Sequence, residues 1–243
     1  MKILVIGESC LDIFHYGECK RLCPESPVPV FSSVEIKENG GMAMNVYNNV
    51  KQINDNVDIL TNQNWRTIKK TRFVEINSNH MFMRLDENDK MYGNFLFDKE
   101  TLNKYHAIIV SDYNKGFLGV SDLVYISKNH PMTFLDTKKT LGEWSKYFTF
   151  VKINGIEYDK TRHTITSEMM KNLIITQGKK GCIFKNKTYD VLPVEVKDVS
   201  GAGDTFISAL CCEYIKTKDI EKSITFANEC ATTVVQKKGV STI

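Results

Sequence analysis

The chain is poor in the features that mark several protein classes. It has no run of five or six like charges, and its net charge of +3 is too small by itself to argue for nucleic acid. No apolar stretch approaches the roughly 18 residues of a membrane span. Residues 1–7 form a short apolar run with one lysine, without the length or cleavage site of a secretory leader. Internal repeats, low-complexity tracts and long linkers are absent. Cysteine is present at positions 10, 19, 23, 182, 211, 212 and 230, an odd and irregular set that fits reduced thiols and a cytoplasmic location. Cys19 and Cys23 lack a second pair at ligand spacing, so no zinc site is expected. Gly7-Glu-Ser-Cys-Leu-Asp12 lacks the second and third glycines of G-x-G-x-x-G, which argues against a dinucleotide-dependent oxidoreductase.

What is present is an ordinary soluble balance, 42% hydrophobic and 25% charged over 243 residues, enough for one domain with a proper core. Residues 2–7 read as a buried strand ending at a glycine turn. Residues 27–36 alternate apolar and polar, a strand exposed on one face. Gly40-Gly41 opens a helical pattern over 42–53. Residues 71–76 and 80–85 read as strands joined through Asn77-Ser78-Asn79. Strand signals at 106–112, 132–136, 148–153 and 173–176 then follow, with a helical pattern at 120–129 and two closing helices near 203–216 and 220–235. The alternation predicts an α/β fold: three layers with a mostly parallel central sheet between helices. The half-polar strands within about 12–38 and 69–98 are expected to form a small antiparallel sheet inserted as a lid.

One segment carries chemistry. Asp198-Val-Ser-Gly-Ala-Gly-Asp204 stands directly before an apolar-periodic helix. Small residues at a helix start let an anion reach unpaired N–H groups, and the helix dipole favours negative charge there. An acid beside such a site makes sense if it takes a proton from an attacking hydroxyl. These residues alone leave a second reading open, in which Gly-Ala-Gly permits tight helix packing and Asp204 is a first-turn acid.

The segment does not stand alone. Residues 198–204 resemble, at every fixed position, the D-x-x-G-A-G-D signature of the ribokinase-like (PfkB) carbohydrate kinases. Within that family, Pro24-Glu-Ser-Pro-Val-Pro29, Gly40-Gly41-Met-Ala-Met-Asn45, Ser111-Asp-Tyr-Asn-Lys-Gly116 and Gly239-Val-Ser-Thr242 are similar to P-E-A-P-V-P, G-G-A-A-N-V, S-D-Y-x-K-G and G-x-S-T of the heptose 7-phosphate kinases, which form one half of bifunctional ADP-heptose synthases. The motif order is kept over nearly the whole chain.

The resemblance implies a phosphotransferase that moves the γ-phosphate of ATP, with Mg2+, to a sugar or sugar-phosphate hydroxyl. By it, Asp204 is the catalytic base and Gly201, Ala202 and Gly203 form the anion hole. Asp12, Gly40, Gly41 and Asn45 hold the sugar, and Arg84 and Asp86 stand where a sugar phosphate would be touched. Asn154, Thr176, Gly178, Asp198 and Asn228 lie along ATP, and Glu157 places Mg2+. Lys115 and Lys138 could reach phosphates. Taken singly, these residues also fit turns, caps, a strand exit or solvated surface. A homodimer through the lid is implied, and no nucleic-acid or membrane partner. Other implied outcomes are a different sugar, nucleoside or vitamin kinase of this fold, or a non-catalytic sugar-binding protein.

The sequence departs from the resembling pattern by being short. A helical unit is missing between residues 56 and 65, and a helix or two between 157 and 173. Lys152-Ile-Asn154 replaces Thr-Pro-Asn. No H-x-G-H motif is present, so the kinase step alone is expected.

Overall fold

The computed structural model describes residues 1–91, 95 and 98–243. In chain order the strands and helices are β1 (Ile3–Gly7), β2 (Ser9–Leu22), β3 (Pro29–Met42), α1 (Ala43–Ile53), β4 (Val57–Leu60), β5 (Lys69–Glu75), β6 (Met81–Glu87), a single turn α2 (Lys99–Leu102), β7 (Ala107–Asp112), α3 (Val120–Asn129), β8 (Thr133–Thr137), β9 (Phe150–Asn154), α4 (Gly155–Thr161), β10 (Leu173–Thr176), β11 (Cys182–Phe184), β12 (Lys187–Tyr189), α5 (Ala202–Thr217) and α6 (Ile220–Val234).

Eight strands form one sheet in the order β12-β11-β10-β9-β8-β7-β1-β4. From β10 to β4 all neighbours are parallel, and β11 and β12 close one edge antiparallel. Strand β1 is buried along its whole length, as expected for a parallel strand covered on both faces. Its alternating side chains divide the core. Ile3 and Val5 pack with Val46 of α1, Ile207 and Leu210 of α5 and Ala227 of α6. Leu4 and Ile6 face the other way, with Leu123 and Ile126 of α3. The three expected layers follow.

The second sheet has the order β3-β2-β5-β6. It is not wholly antiparallel, as the alternation suggested. β2 pairs antiparallel with β3, and β5 with β6, but β2 and β5 run parallel. The cause lies in the core: β1 and β4 are parallel neighbours there, and the chain runs from each of them into the lid in the same direction. Only Glu8 separates β1 from β2. Gly40 and Gly41 lie at the end of β3, directly before α1. The lid expected over 69–98 reaches Glu87, and residues 92–94, 96 and 97 of that range lie outside the described residues. The shortened stretches are as expected: turns link β4 to β5, and two 3-10 turns, Arg162–Thr164 and Met169–Lys171, link α4 to β10.

All seven cysteines are free: five are buried, and Cys19 and Cys23, on the β2–β3 hairpin, are partly exposed. Among the described residues no helix is long and apolar enough to cross a membrane.

Candidate active site

The start of α5 stands between two clefts. Gly201 precedes it with φ +82, a left-handed conformation that a side chain would strain, and a Cβ there would lie 2.7 Å from Asn45 Nδ2. Ala202 N–H is turned back to the Val199 carbonyl at 3.3 Å. Among the described hydrogen bonds, none is made by the amides of Gly201 or Gly203. Of the three amides expected to form an anion hole, those of Gly201 and Gly203 are thus unengaged, whereas that of Ala202 is already engaged inside its turn. Asp198 accepts from Ser200 N–H at 2.8 Å and so shapes the turn; it lines neither cleft.

Asp204, in the first turn of α5, is 5% exposed. Asn45 Nδ2, from α1, donates to its Oδ2 at 2.8 Å, and the Tyr113 hydroxyl donates to its Oδ1 at 3.0 Å. Burial pushes the Asp204 carboxyl up to about 6; the Asn45 and Tyr113 hydrogen bonds and the Lys152 charge oppose the rise, and nearby Asp136 adds to it. A carboxyl near 6 is ionised at neutral pH and remains an effective proton acceptor. Tyr113 is aimed by Glu8, whose carboxylate accepts from Tyr113 N–H at 2.6 Å and Lys115 N–H at 2.9 Å. Burial, then the Asp112 charge, raises the Glu8 carboxyl.

The cleft on the Asp204 side has a volume of about 420 Å³ and is polar. Asp12, Gly41, Asn45 and Arg84, the residues proposed from sequence to hold a sugar or its phosphate, are brought together on its wall with Lys115 and Lys138. Lys70, Arg72 and Tyr113 line it too, and had no assigned role. Asp12 Oδ1 is held by Arg72 Nη1 at 3.0 Å. Gly40 and Asp86 are not on the wall. Gly40 packs toward Met44, and Asp86 holds Arg84 by two bonds of 2.7 Å.

The cleft on the other side, about 360 Å³, is mainly apolar. Ala202, Gly203 and Phe206 of α5 form one wall, and Asn228, Ala231 and Val235 another. Thr176 and Gly178 lie on it as expected, whereas Asn154 does not. Asn154 caps α4: its Oδ1 accepts from Glu157 N–H at 2.9 Å while Glu157 Oε2 accepts from Asn154 N–H at 2.8 Å. The second Glu157 oxygen pairs with Lys138 Nζ. Among the described residues no cluster of three or more His, Cys, Asp or Glu could hold a metal unaided. Mg2+ is commonly held by one or two carboxylates with water and phosphate; Glu157, expected to place it, lines neither cleft and stands next to the polar one through its pair with Lys138.

A polar cleft and an apolar cleft thus meet at a helix start with a buried acid between them, in a three-layer fold similar to that of ribokinase. Solved structures with this fold include ribokinase from Thermotoga maritima, with a TM-score of 0.74 at 16% identity, covering 99% of this chain and 94% of that one. Ribokinase from Arabidopsis thaliana, complexed with ribose and ATP, gives 0.69 at 15% identity over 98% of this chain and 93% of that one. Residues 148–243 match the model of the pfkB family carbohydrate kinases. Among curated proteins it is 28% identical to bifunctional protein HldE of Helicobacter pylori (strain J99) over 98% of its length, and 27% identical to that of Psychromonas ingrahamii over all of it. It spans only 63% and 62% of those two proteins.

Proposed function

We propose that the protein is an ATP-dependent sugar kinase whose acceptor is a phosphorylated sugar, with heptose 7-phosphate converted to the 1,7-bisphosphate as the specific reading. The observation that carries it is the position of Asp204, a buried acid on the polar side of a helix start whose other side faces the apolar cleft. The polar wall carries five cations, Lys70, Arg72, Arg84, Lys115 and Lys138, each held in place by a neighbouring carboxylate, which suits an acceptor that already carries phosphate.

In this reading the sugar lies in the polar cleft, oriented by Asp12 and Asn45, and the adenine end of ATP in the apolar cleft beside Asn228. Asp204 takes the proton of the attacked hydroxyl, the anomeric one for heptose 7-phosphate. The hydroxyl oxygen bonds to the γ-phosphorus as the bond to the ADP oxygen breaks, and the proton stays on Asp204. The Gly201 and Gly203 amides face the charge that develops on the transferred group. Glu157 would hold Mg2+, which when bound supplies charge neutralisation along the phosphates. The outer lid strands β3 and β6 expose Val34, Ile36, Phe82, Met83 and Leu85, which supports a homodimer through the lid. The likeness to bifunctional HldE proteins supports the heptose assignment.

The test is ADP release with heptose 7-phosphate beside free heptose, ribose and hexose phosphates. Turnover is expected with the phosphorylated heptose and at least about tenfold less with unphosphorylated sugars. Preference for an unphosphorylated acceptor would sink the substrate reading, and silence with every acceptor would sink the kinase reading.

A further inference from the structure

Lys152 is a buried lysine that the mechanism above does not use. It lies on β9 with a relative exposure of 3%, and its Nζ donates to Asp136 Oδ2, on β8, at 2.8 Å. Asp136 is 5% exposed. A buried ion pair is costly to assemble and often adds little net stability, so retaining one here calls for another account. Its location supplies that account. A Cβ on Gly203 would lie 2.7 Å from Lys152 Nζ but 3.9 Å from Asp136 Oδ2, so the positive end of the pair is the nearer to the start of α5. Neither side chain lines either cleft. Among the described residues Asp136 Oδ1 has no hydrogen-bond partner, and Lys138 Nζ stands 4.0 Å from it.

We propose that Lys152 is a positioning residue for phosphoryl transfer: a fixed ammonium, clamped by Asp136 behind Gly203, that adds positive charge to the anion-facing first turn of α5 without touching a ligand. This rests on the phosphoryl-transfer reading of that turn. A helix start contributes roughly half a unit charge, and the pair adds to that field because its ammonium lies nearer to the turn than the carboxylate that neutralises it. The same ammonium acts on Asp204. The groups facing or acting on that carboxyl are Asn45 from α1, Tyr113 after β7, Asp136 on β8, Lys138 after β8 and Lys152 on β9. Lys152 favours the ionised base and Asp136 opposes it.

The experiment compares Lys152→Met, Lys152→Arg and the double variant Asp136→Asn/Lys152→Met. The first readout needs no substrate: the Asp204 carboxyl is titrated by 13C NMR, with its resonance identified from Asp204→Asn. Lys152→Met is expected to move the midpoint up by about one pH unit or more, and Lys152→Arg by much less. The second readout is steady-state kinetics, where Lys152→Met should lower kcat about tenfold with the ATP KM changed less than about threefold. The double variant carries no buried charge at this place, so it keeps the test alive if Lys152→Met fails to fold. Its kcat should remain about threefold or more below that of the parent. Parental kcat in the double variant would mean that Lys152 only neutralises Asp136, and overturns the proposal. An unmoved midpoint in folded Lys152→Met overturns it as well. A parent protein inactive on every acceptor overturns the kinase reading instead, and the titration still decides whether Lys152 sets the charge of Asp204.

Discussion

The two clefts that meet at α5 are built on opposite principles. The polar one sets charge against charge: Arg72 holds Asp12, Asp86 holds Arg84, and Asp86 and Asp89 flank Lys70 at 3.6 and 3.5 Å. The apolar one is lined by four polar side chains, Thr176, Lys179, Asn228 and Thr232, among the described residues, and the rest of its walls are mainly Val, Leu, Pro, Ala and Phe. A cleft of paired charges arrives pre-ordered, since each cation is already aimed by an anion. It selects among acceptors by charge and hydroxyl geometry. A cleft of aliphatic side chains selects by shape and tolerates variation. In the proposed reading, the difference would give acceptor discrimination to the lid side, and a largely hydrophobic grip on the base to the α6 side.

The comparison can be broken most sharply at the point where the clefts join. Asp204→Asn should lower turnover by about 10³-fold or more while leaving ATP affinity within a few-fold, since it removes the base and little of either wall. Near-parental turnover in a coupled ADP assay would end the assignment of the base. Arg84→Ala comes next. It should raise the KM for a phosphorylated acceptor about 30-fold and leave that for ATP alone, because a charge-assisted contact to phosphate contributes on the order of 2 kcal/mol. Equal effects on both substrates would erase the division between the clefts. The pH profile gives a smaller effect. The base must be ionised, and its carboxyl is raised to about 6, so kcat/KM should be level above neutrality and fall tenfold per unit below about pH 6. A limb near pH 4 would place the base elsewhere. Ala231→Phe gives the smallest. By filling part of the apolar cleft it should raise the KM for ATP about fivefold and not that for the sugar.

Local chemistry was the legible part. The core strands, the three layers and the α5 turn could be read because their signals lie within a few residues of each other. Asp204, Gly201, Asp12, Asn45, Thr176 and Asn228 fall on cleft walls for the same reason, each belonging to a short motif. What the sequence withheld is long-range. Tyr113 and Asn45 reach Asp204 from 91 and 159 residues away, and no spacing encodes those contacts. Alternation tells which face of a strand is wet but not which strand lies beside it, so the parallel β2–β5 pairing was missed. Asp86, Asp198 and Asn154 sit in motifs of the right kind, yet the structure gives them to neighbours: a salt bridge, a turn and a helix cap. Lys152 reads in sequence as a departure from Thr-Pro-Asn and no more, and its position behind Gly203 appears only in the structure.

The distribution of thiols has a practical consequence. Five of the seven are sealed in the interior, and the two that solvent can reach sit together on the β2–β3 hairpin of the small sheet. Burial also raises the Cys10, Cys182 and Cys212 thiols to about 12, which leaves very little reactive thiolate at neutral pH. A maleimide dye added to the unaltered protein would therefore mark the hairpin and little else. The chain thus carries its own attachment point for a fluorescent reporter, which would follow the small sheet against the large one as acceptor and nucleotide arrive, with no engineered cysteine.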